Sequence, residues 1–158
     1  MGSPEIPVRR AVQGDMRAIV GLSAVLFRED AGGRDPSVNL DWPREEGHGH
    51  FADLVAGEAS VCLLAEVGGG VVVYLAARVR EGTGPRPVRV AELESICVRE
   101  NQRSRGVGTK LVEEFIGWAG SRGAARLSVT AYAANERAIR FCERFGFRPR
   151  SVSLERGV

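Results

Sequence analysis

Residues 93–119 place the tightest constraint on what this chain can become. An apolar run from Leu93 to Val98 reads as a strand, and it ends in the charged turn Val98-Arg-Glu-Asn-Gln-Arg-Ser-Arg-Gly-Val-Gly-Thr-Lys110. Beyond the turn, Val107, Leu111, Val112, Phe115, Ile116 and Ala119 recur at the spacing of one helical face. Strand, glycine-bearing turn and helix start together predict an anion site. The first N–H groups of a helix lack internal partners, and the helix dipole favours negative charge there. Gly106 and Gly108 carry no Cβ, so a phosphate can approach the main chain, and Arg103, Arg105 and Lys110 add positive charge.

Three phosphate-binding turns are distinguishable at this spot. A Walker A loop ends Gly-Lys-Ser/Thr, whereas this chain reads Gly108-Thr-Lys-Leu111. A dinucleotide fingerprint needs a third glycine where Leu111 stands. What fits is Arg103-Ser-Arg-Gly-Val-Gly108, an R/Q-x-x-G-x-G/A turn.

The flanking chain predicts a mixed α/β order. Residues 8–12 read as a first strand, and Asp15 as the N-cap of a helix carrying Met16, Ile19, Val20 and Leu22 to Phe27. Residues 28–50 read as a long, partly irregular connection with a local acidic excess, followed by a helix near 49–55. Two strands, 60–67 and 71–79, are joined by Gly68-Gly-Gly70 as a hairpin, and residues 89–98 form the strand that feeds the turn. After the central helix come a strand over 127–132 and a helix capped by Asn135 that stops at Gly146. Residues 147–155 are expected to add one or two closing strands, one of which offers an edge for pairing across a dimer. At 158 residues with no repeat or linker, the chain reads as one domain over 1–158, with 1–6 a disordered N-terminus.

Charge and cysteine usage limit the function classes. The net charge is +2 with no polybasic tract, which argues against a nucleic-acid partner. Apolar runs are short and broken by charges, which argues against a membrane span, and no secretory signal is visible. Cys62, Cys97 and Cys142 are odd in number and scattered in apolar runs, so they read as reduced cysteines of a cytoplasmic protein and not as a disulfide or metal framework. His48 and His50 sit in a Gly-His-Gly-His stretch that reads as exposed, and two histidines alone do not make a metal site.

A second motif, Asn135-Glu-Arg-Ala-Ile-Arg-Phe-Cys-Glu-Arg-Phe-Gly-Phe147, lies one strand beyond the first. The two motifs and the element order together resemble the GCN5-related N-acetyltransferase (GNAT) superfamily along nearly the whole chain. That resemblance implies a central, mostly antiparallel sheet with a splayed strand pair, flanked by about four helices. It implies acetyl-CoA as co-substrate and no metal. Pantetheine would lie against the main chain of Ile96, Cys97 and Val98, and the pyrophosphate against Arg103, Ser104, Arg105, Gly106, Val107, Gly108 and Thr109. Asn135 would reach the pantetheine arm. The plainer readings are solvated charges for the arginines and an N-cap alone for Asn135.

The implied reaction is direct acetyl transfer to a small-molecule primary amine, by a monomer or a homodimer. The amine must be neutral to attack, so the strand before the turn is searched for a base. Glu94, then Glu92, are the candidates, on one face by two-residue alternation; the plain alternative is a surface ion pair. The family's usual Tyr proton donor is replaced here by Cys142, which is either a substitute acid or a small buried apolar residue. Tyr132, Tyr74 or a water are the other donors. The acidic connection at 28–53 would favour a cationic amine. A protein N-terminus or lysine as acceptor, a non-catalytic acyl-CoA sensor, and a module binding another phosphate ligand are the alternatives.

Overall fold

A computed structural model of the chain describes residues 6–158. The expected disordered segment 1–6 therefore lies outside the described residues, except for Ile6, which packs against the sheet core. Five strands form one sheet in sequential order: β1 (Val8–Arg10), β2 (Ser60–Val67), β3 (Gly70–Arg80), β4 (Val90–Val98) and β5 (Arg126–Val129). The first three pairings are antiparallel and β4–β5 is parallel. Five α-helices accompany it: α1 (Met16–Leu26), α2 (Trp42–Glu45), α3 (Gly47–Ala56), α4 (Val107–Ser121) and α5 (Glu136–Glu143). The expected mixed sheet is thus present, with the four-residue α2 as a fifth helix. No helix among the described residues is long and apolar enough to cross a membrane.

Helices cover both faces of the sheet, which explains why β2 and β3 read as continuous apolar runs instead of alternating ones. On one face α4 presents Leu111, Val112, Phe115 and Trp118 to Leu63, Val73, Leu75 and Leu93. On the other, Met16 and Ile19 of α1 and Phe51 and Leu54 of α3 pack on Leu64, Tyr74 and Cys97. The hairpin turn is Gly68–Gly69, as read from sequence. The αL conformation of Gly146, at φ 90°, ends the last helix, with Gly146 N–H to Glu143 O at 3.0 Å.

Three expectations change. The 28–50 connection is more ordered than its composition suggests: α1 runs on as a π-helical turn, Phe27–Ala31, and α2 precedes α3. Asp15 does occupy the N-cap position of α1, but its carboxylate reaches back to the Val12 N–H at 2.8 Å instead of capping forward. The closing strands over 147–155 do not form. Residues 148–158 have no strand, and Val152 and Leu154 are exposed. With Arg148, Arg150, Glu155 and Arg156 among eleven residues, this tail has too little apolar surface to offset the entropy of ordering it, and β5 offers only four residues of edge.

Arg9 ties β1 to the rest. It makes a bidentate pair with Asp15 at 2.8 and 2.9 Å and also reaches Glu66 at 2.5 Å. The Arg9 guanidinium holds the Asp15 carboxyl below the ordinary aspartate range, helped by the Val12 N–H. A depressed folded-state pKa contributes stability that is present above the unfolded value and lost as pH falls through the folded one. Asp15→Asn is therefore expected to destabilise the fold by about 1–2 kcal/mol at pH 7. In urea titrations the gap between wild type and variant should close below the ordinary aspartate range; a constant gap down to pH 2 would rule this pair out as its source.

Candidate active site

The site begins where β4 and β5 part. Their ladder ends at Leu93 opposite Val129, yet β4 continues to Val98. Arg99 N–H bonds Val72 O of β3 at 2.7 Å, so the Val98 carbonyl points the other way, into the gap. By strand alternation, the N–H and C=O of Ile96 face the gap as well. Cys97 instead pairs with Tyr74 across β3, and its side chain is buried on the α1/α3 face. An unpaired strand edge beside a cleft is a ready partner for an extended amide-bearing ligand.

The basic turn follows at the end of this edge. Ser104 and Gly106 both take positive φ, 64° and 78°, and Gly106 is the N-cap of α4. The first intrahelical bond is Lys110 N–H to Gly106 O at 3.2 Å, which leaves the N–H groups of Val107, Gly108 and Thr109 at the open helix end. Val107 and Gly108 are buried, and Arg105 is exposed. The two glycines act differently. A Cβ on Gly106 would meet open space, so conformation is what demands glycine there. A Cβ on Gly108 would touch Val98 at 3.4 Å and Phe141 at 3.5 Å, so its role is to let α4 sit close to β4 and α5. A strand edge whose Ile96 main-chain groups face the gap and whose Val98 carbonyl accepts from Arg103, continuous with an open helix N-terminus, fits an elongated ligand with an anionic end.

Three side chains around this cleft are held by carboxylates of the α1–α2 connection. Arg103 donates to Val98 O at 2.9 Å and to Glu29 at 2.6 Å. Asn135 caps α5 through Oδ1 to the Ala138 N–H at 3.1 Å, while its Nδ2 donates to Asp30 at 2.8 Å. The Tyr132 hydroxyl donates to Asp35 at 2.9 Å, and burial together with that carboxylate raises its pKa. Three of the seven acids read from sequence as a wall, Glu29, Asp30 and Asp35, are thus engaged around the β4–β5 gap. Cys142 is half-buried on α5, and burial pushes its thiol pKa up.

Glu94 and Glu92 separate in the structure. Across β3, Ala76 pairs with Ser95 and Ala77 with Leu93, so Glu94 is the bulged residue without a partner. Glu92 pairs with Arg80 at 2.7 Å at the sheet surface, the plainer of its two readings. Glu94 lines a cavity of about 360 Å³ with Ser23, Phe27, Val38, Trp42 and Phe51. One of its oxygens accepts from Arg78 Nε at 2.9 Å and the other is bonded to His50 Nε2.

His50, read from sequence as exposed, is therefore a site residue. Five rings run in series from the cavity into the core: Phe27 stacks on Trp42 at 5.6 Å, Trp42 meets His50 edge-on at 5.1 Å, His50 meets Phe51, and Phe51 meets Tyr74. Trp42 is fixed by its indole N–H to Glu46 at 2.9 Å. Tyr74 is fully buried, which raises its pKa, and its hydroxyl lies beside those of Ser23 and Ser95. Neither Tyr74 nor Ser23 completes a hydrogen bond of regular geometry. The signal available in sequence was the recurrence of Phe27, Trp42, His50 and Phe51 within an otherwise polar stretch.

A sequence model of the acetyltransferase (GNAT) family matches residues 28–147. No curated protein matches the chain by sequence. Among solved structures, an aminoglycoside N-acetyltransferase in complex with CoA aligns at TM-score 0.76 and 18% identity, covering 97% of this chain and 95% of that one. Glucosamine-6-phosphate N-acetyltransferase from Arabidopsis thaliana aligns at 0.71 and 18%, covering 97% and 98%. A Bacillus halodurans protein described as a transcriptional regulator aligns at 0.76 and 21%, covering 98% and 100%. At these identities the likeness establishes the fold.

The cysteines provide a chemical check on the packing. Burial pushes Cys62 up to about 12 and Cys97 up to about 11, and raises Cys142 too. Since the thiolate is the reactive form, all three should alkylate far more slowly in the native protein at pH 8 than in urea, with Cys142 the first to react. Fast labelling of Cys142 at pH 7 would contradict the raised value.

Proposed function

The chain belongs to the acetyltransferase (GNAT) family, and from that premise we propose that it transfers acetyl from acetyl-CoA to the primary amine of a small molecule held beside Glu94. The observation that carries this reading is the continuity of three features. They are the β4 edge beyond Leu93, the open α4 N-terminus at its end, and the Glu94 cavity on the same strand.

On this reading the main chain of Ile96 and Val98 receives pantetheine, and the N–H groups of Val107 to Thr109 with Arg103 receive the pyrophosphate. The cofactor supplies the acyl group activated as a thioester. Glu94 takes the proton that the amine must lose to become a nucleophile, directly or through a water. Arg78 and His50 hold its carboxylate in place, and a carboxylate has about four acceptor positions, so two bonds leave room for the substrate. The apolar walls disfavour the ammonium form and so work in the same direction. Cys142, kept protonated by burial, serves as proton donor on the cofactor side, with solvent as the alternative.

Acetyl-CoA at about 100 times its Kd should stabilise the fold by roughly 2.7 kcal/mol in thermal-shift or calorimetric titration. Glu94→Gln is expected to lower kcat by about 10²–10⁴ while leaving that stabilisation intact. Cofactor binding without turnover of any amine would leave an acyl-CoA sensor; absence of binding at millimolar ligand would overturn the transferase reading altogether. Because Glu29 competes with the pyrophosphate for Arg103, Glu29→Gln should tighten acetyl-CoA binding by about two- to fivefold, the scale of one exposed ion pair. Weaker binding by this variant would instead make Glu29 part of the cofactor site.

A further inference from the structure

Resting on the transferase reading, we propose that the acceptor is a compact primary amine with an apolar aryl or alkyl body, and not a polyamine or an aminoglycoside-like polycation. Its amine head would sit between the Glu94 carboxylate and the Ser23 hydroxyl, and its body against Phe27 and Trp42.

The polar inventory of the cavity supports this choice. Glu94 is the single carboxylate lining it, and Arg78 already offsets that charge. None of the seven acids over residues 28–53 lines the cavity, and five of them already have side-chain partners. Glu29 is held by Arg103, Asp30 by Arg34 and Asn135, Asp35 by Tyr132, Glu45 by Asn39, and Glu46 by Trp42. A second or third ammonium entering this cavity would lose its water without gaining a counter-charge, and the few polar groups left, Ser23, Ser95 and the already bonded Asn39, would leave most hydroxyls of an aminoglycoside unpaired.

One amine head, by contrast, is well served. Ser23 is 1% exposed, lines the cavity, and its hydroxyl, beside that of Tyr74, completes no hydrogen bond of regular geometry. A neutral amine losing one proton to Glu94 keeps N–H groups that this oxygen can accept. Phe27, Val38, Trp42 and Phe51 form the apolar part of the wall; of its other polar residues, His50 is bonded to Glu94, and Asn39 to Glu45 and the Asp41 N–H, which leaves Ser95. Trp42 is locked by Glu46 and stacked on Phe27, which gives a rigid ring surface that loses little freedom when a ligand packs on it. A volume of about 360 Å³ lies at the small end of ligand pockets and suits a single-ring amine.

The test is an acceptor panel with the whole chain saturated in acetyl-CoA, following release of the CoA thiol. Phenylethylamine and hexylamine represent the apolar class, spermidine and neamine the polycations. The expected result is a kcat/KM at least about tenfold higher for an apolar amine, as hydrophobic-pocket discrimination allows. Trp42→Ala should cut that advantage mainly through KM, Ser23→Ala should raise KM for every apolar amine, and neither should move the Kd for acetyl-CoA. A preference for spermidine or neamine would overturn the inference and leave the transferase reading standing. If no amine is acetylated although acetyl-CoA binds, the transferase reading falls, and calorimetry with phenylethylamine and CoA decides the inference. Binding that Trp42→Ala weakens at least tenfold upholds the pocket's specificity, and no binding overturns it. Should Trp42→Ala fail to fold, the wild-type panel and Ser23→Ala decide.

Discussion

The rest of the structure depends on a strand that outlasts its neighbour. β4 keeps its antiparallel ladder with β3 to the end, while its parallel ladder with β5 stops at Leu93. Buried backbone groups need partners, so an unpaired edge is tolerable only if something supplies them. Here Arg103 turns back from the basic turn and satisfies the Val98 carbonyl. The same divergence brings the α4 N-terminus to the strand end and opens a gap between β4 and β5. The bulge at Glu94 sits at the branch point, one residue past the last β4–β5 pair. Beyond it the alternation changes phase, so that Leu93, Ile96 and Val98 share the α4 face while Glu94 and Cys97 lie towards α1 and α3.

The α1–α2 connection is the second organising element, and its charges explain its order. Its acids do not line the acceptor cavity; Glu29, Asp30 and Asp35 cross to residues 74 to 105 positions later and close over the cofactor side. The exposed Arg103–Glu29 pair contributes on the order of 0.2–1 kcal/mol and the two part-buried hydrogen bonds to carboxylates about 1.5–3 kcal/mol each, and together they fix the segment that carries Phe27 and Trp42. The aromatic series then continues inward to Tyr74, where the connection meets the core. Ion pairs on one side and ring contacts on the other hold a segment whose composition alone suggests a loop.

The fold and the local elements of the proposed cofactor half were legible in sequence because they rest on local signals. The R-x-x-G-x-G turn, the Asn135 cap, the Gly68–Gly69 hairpin and the Gly146 stop each act within a few residues, and the structure places all four where the spacing puts them. The acceptor half depends on pairs far apart in the chain, such as His50 with Glu94, which no local pattern encodes. His50 was misread because its glycine neighbours signal exposure, whereas its burial comes from Trp42 and Phe51 packing on its two sides. Glu92 and Glu94 share a face under alternation, with Glu94 ranked first; the structure puts Glu94 at a bulge beside the cavity and Glu92 in a surface pair with Arg80. The tail failed for the opposite reason, since residues 148–158 show strand-like spacing of Val152 and Leu154 but find no edge long enough to pair with.

If Glu94 is the base, as proposed, a carboxylate with two existing partners has to take the amine's proton. Arg78 and His50 each orient one oxygen of Glu94, which fixes the carboxylate beside the space an amine would occupy. The apolar wall acts on the other member of the pair, since an ammonium buried against Phe27 and Trp42 loses hydration that one partly neutralised carboxylate does not replace. What decides proton transfer is the difference between the two groups. A site can reach it by destabilising the charged amine as well as by strengthening the base. The same apolar wall that selects the substrate body would then also prepare its nitrogen for attack, so specificity and activation would fail together when Trp42 is removed.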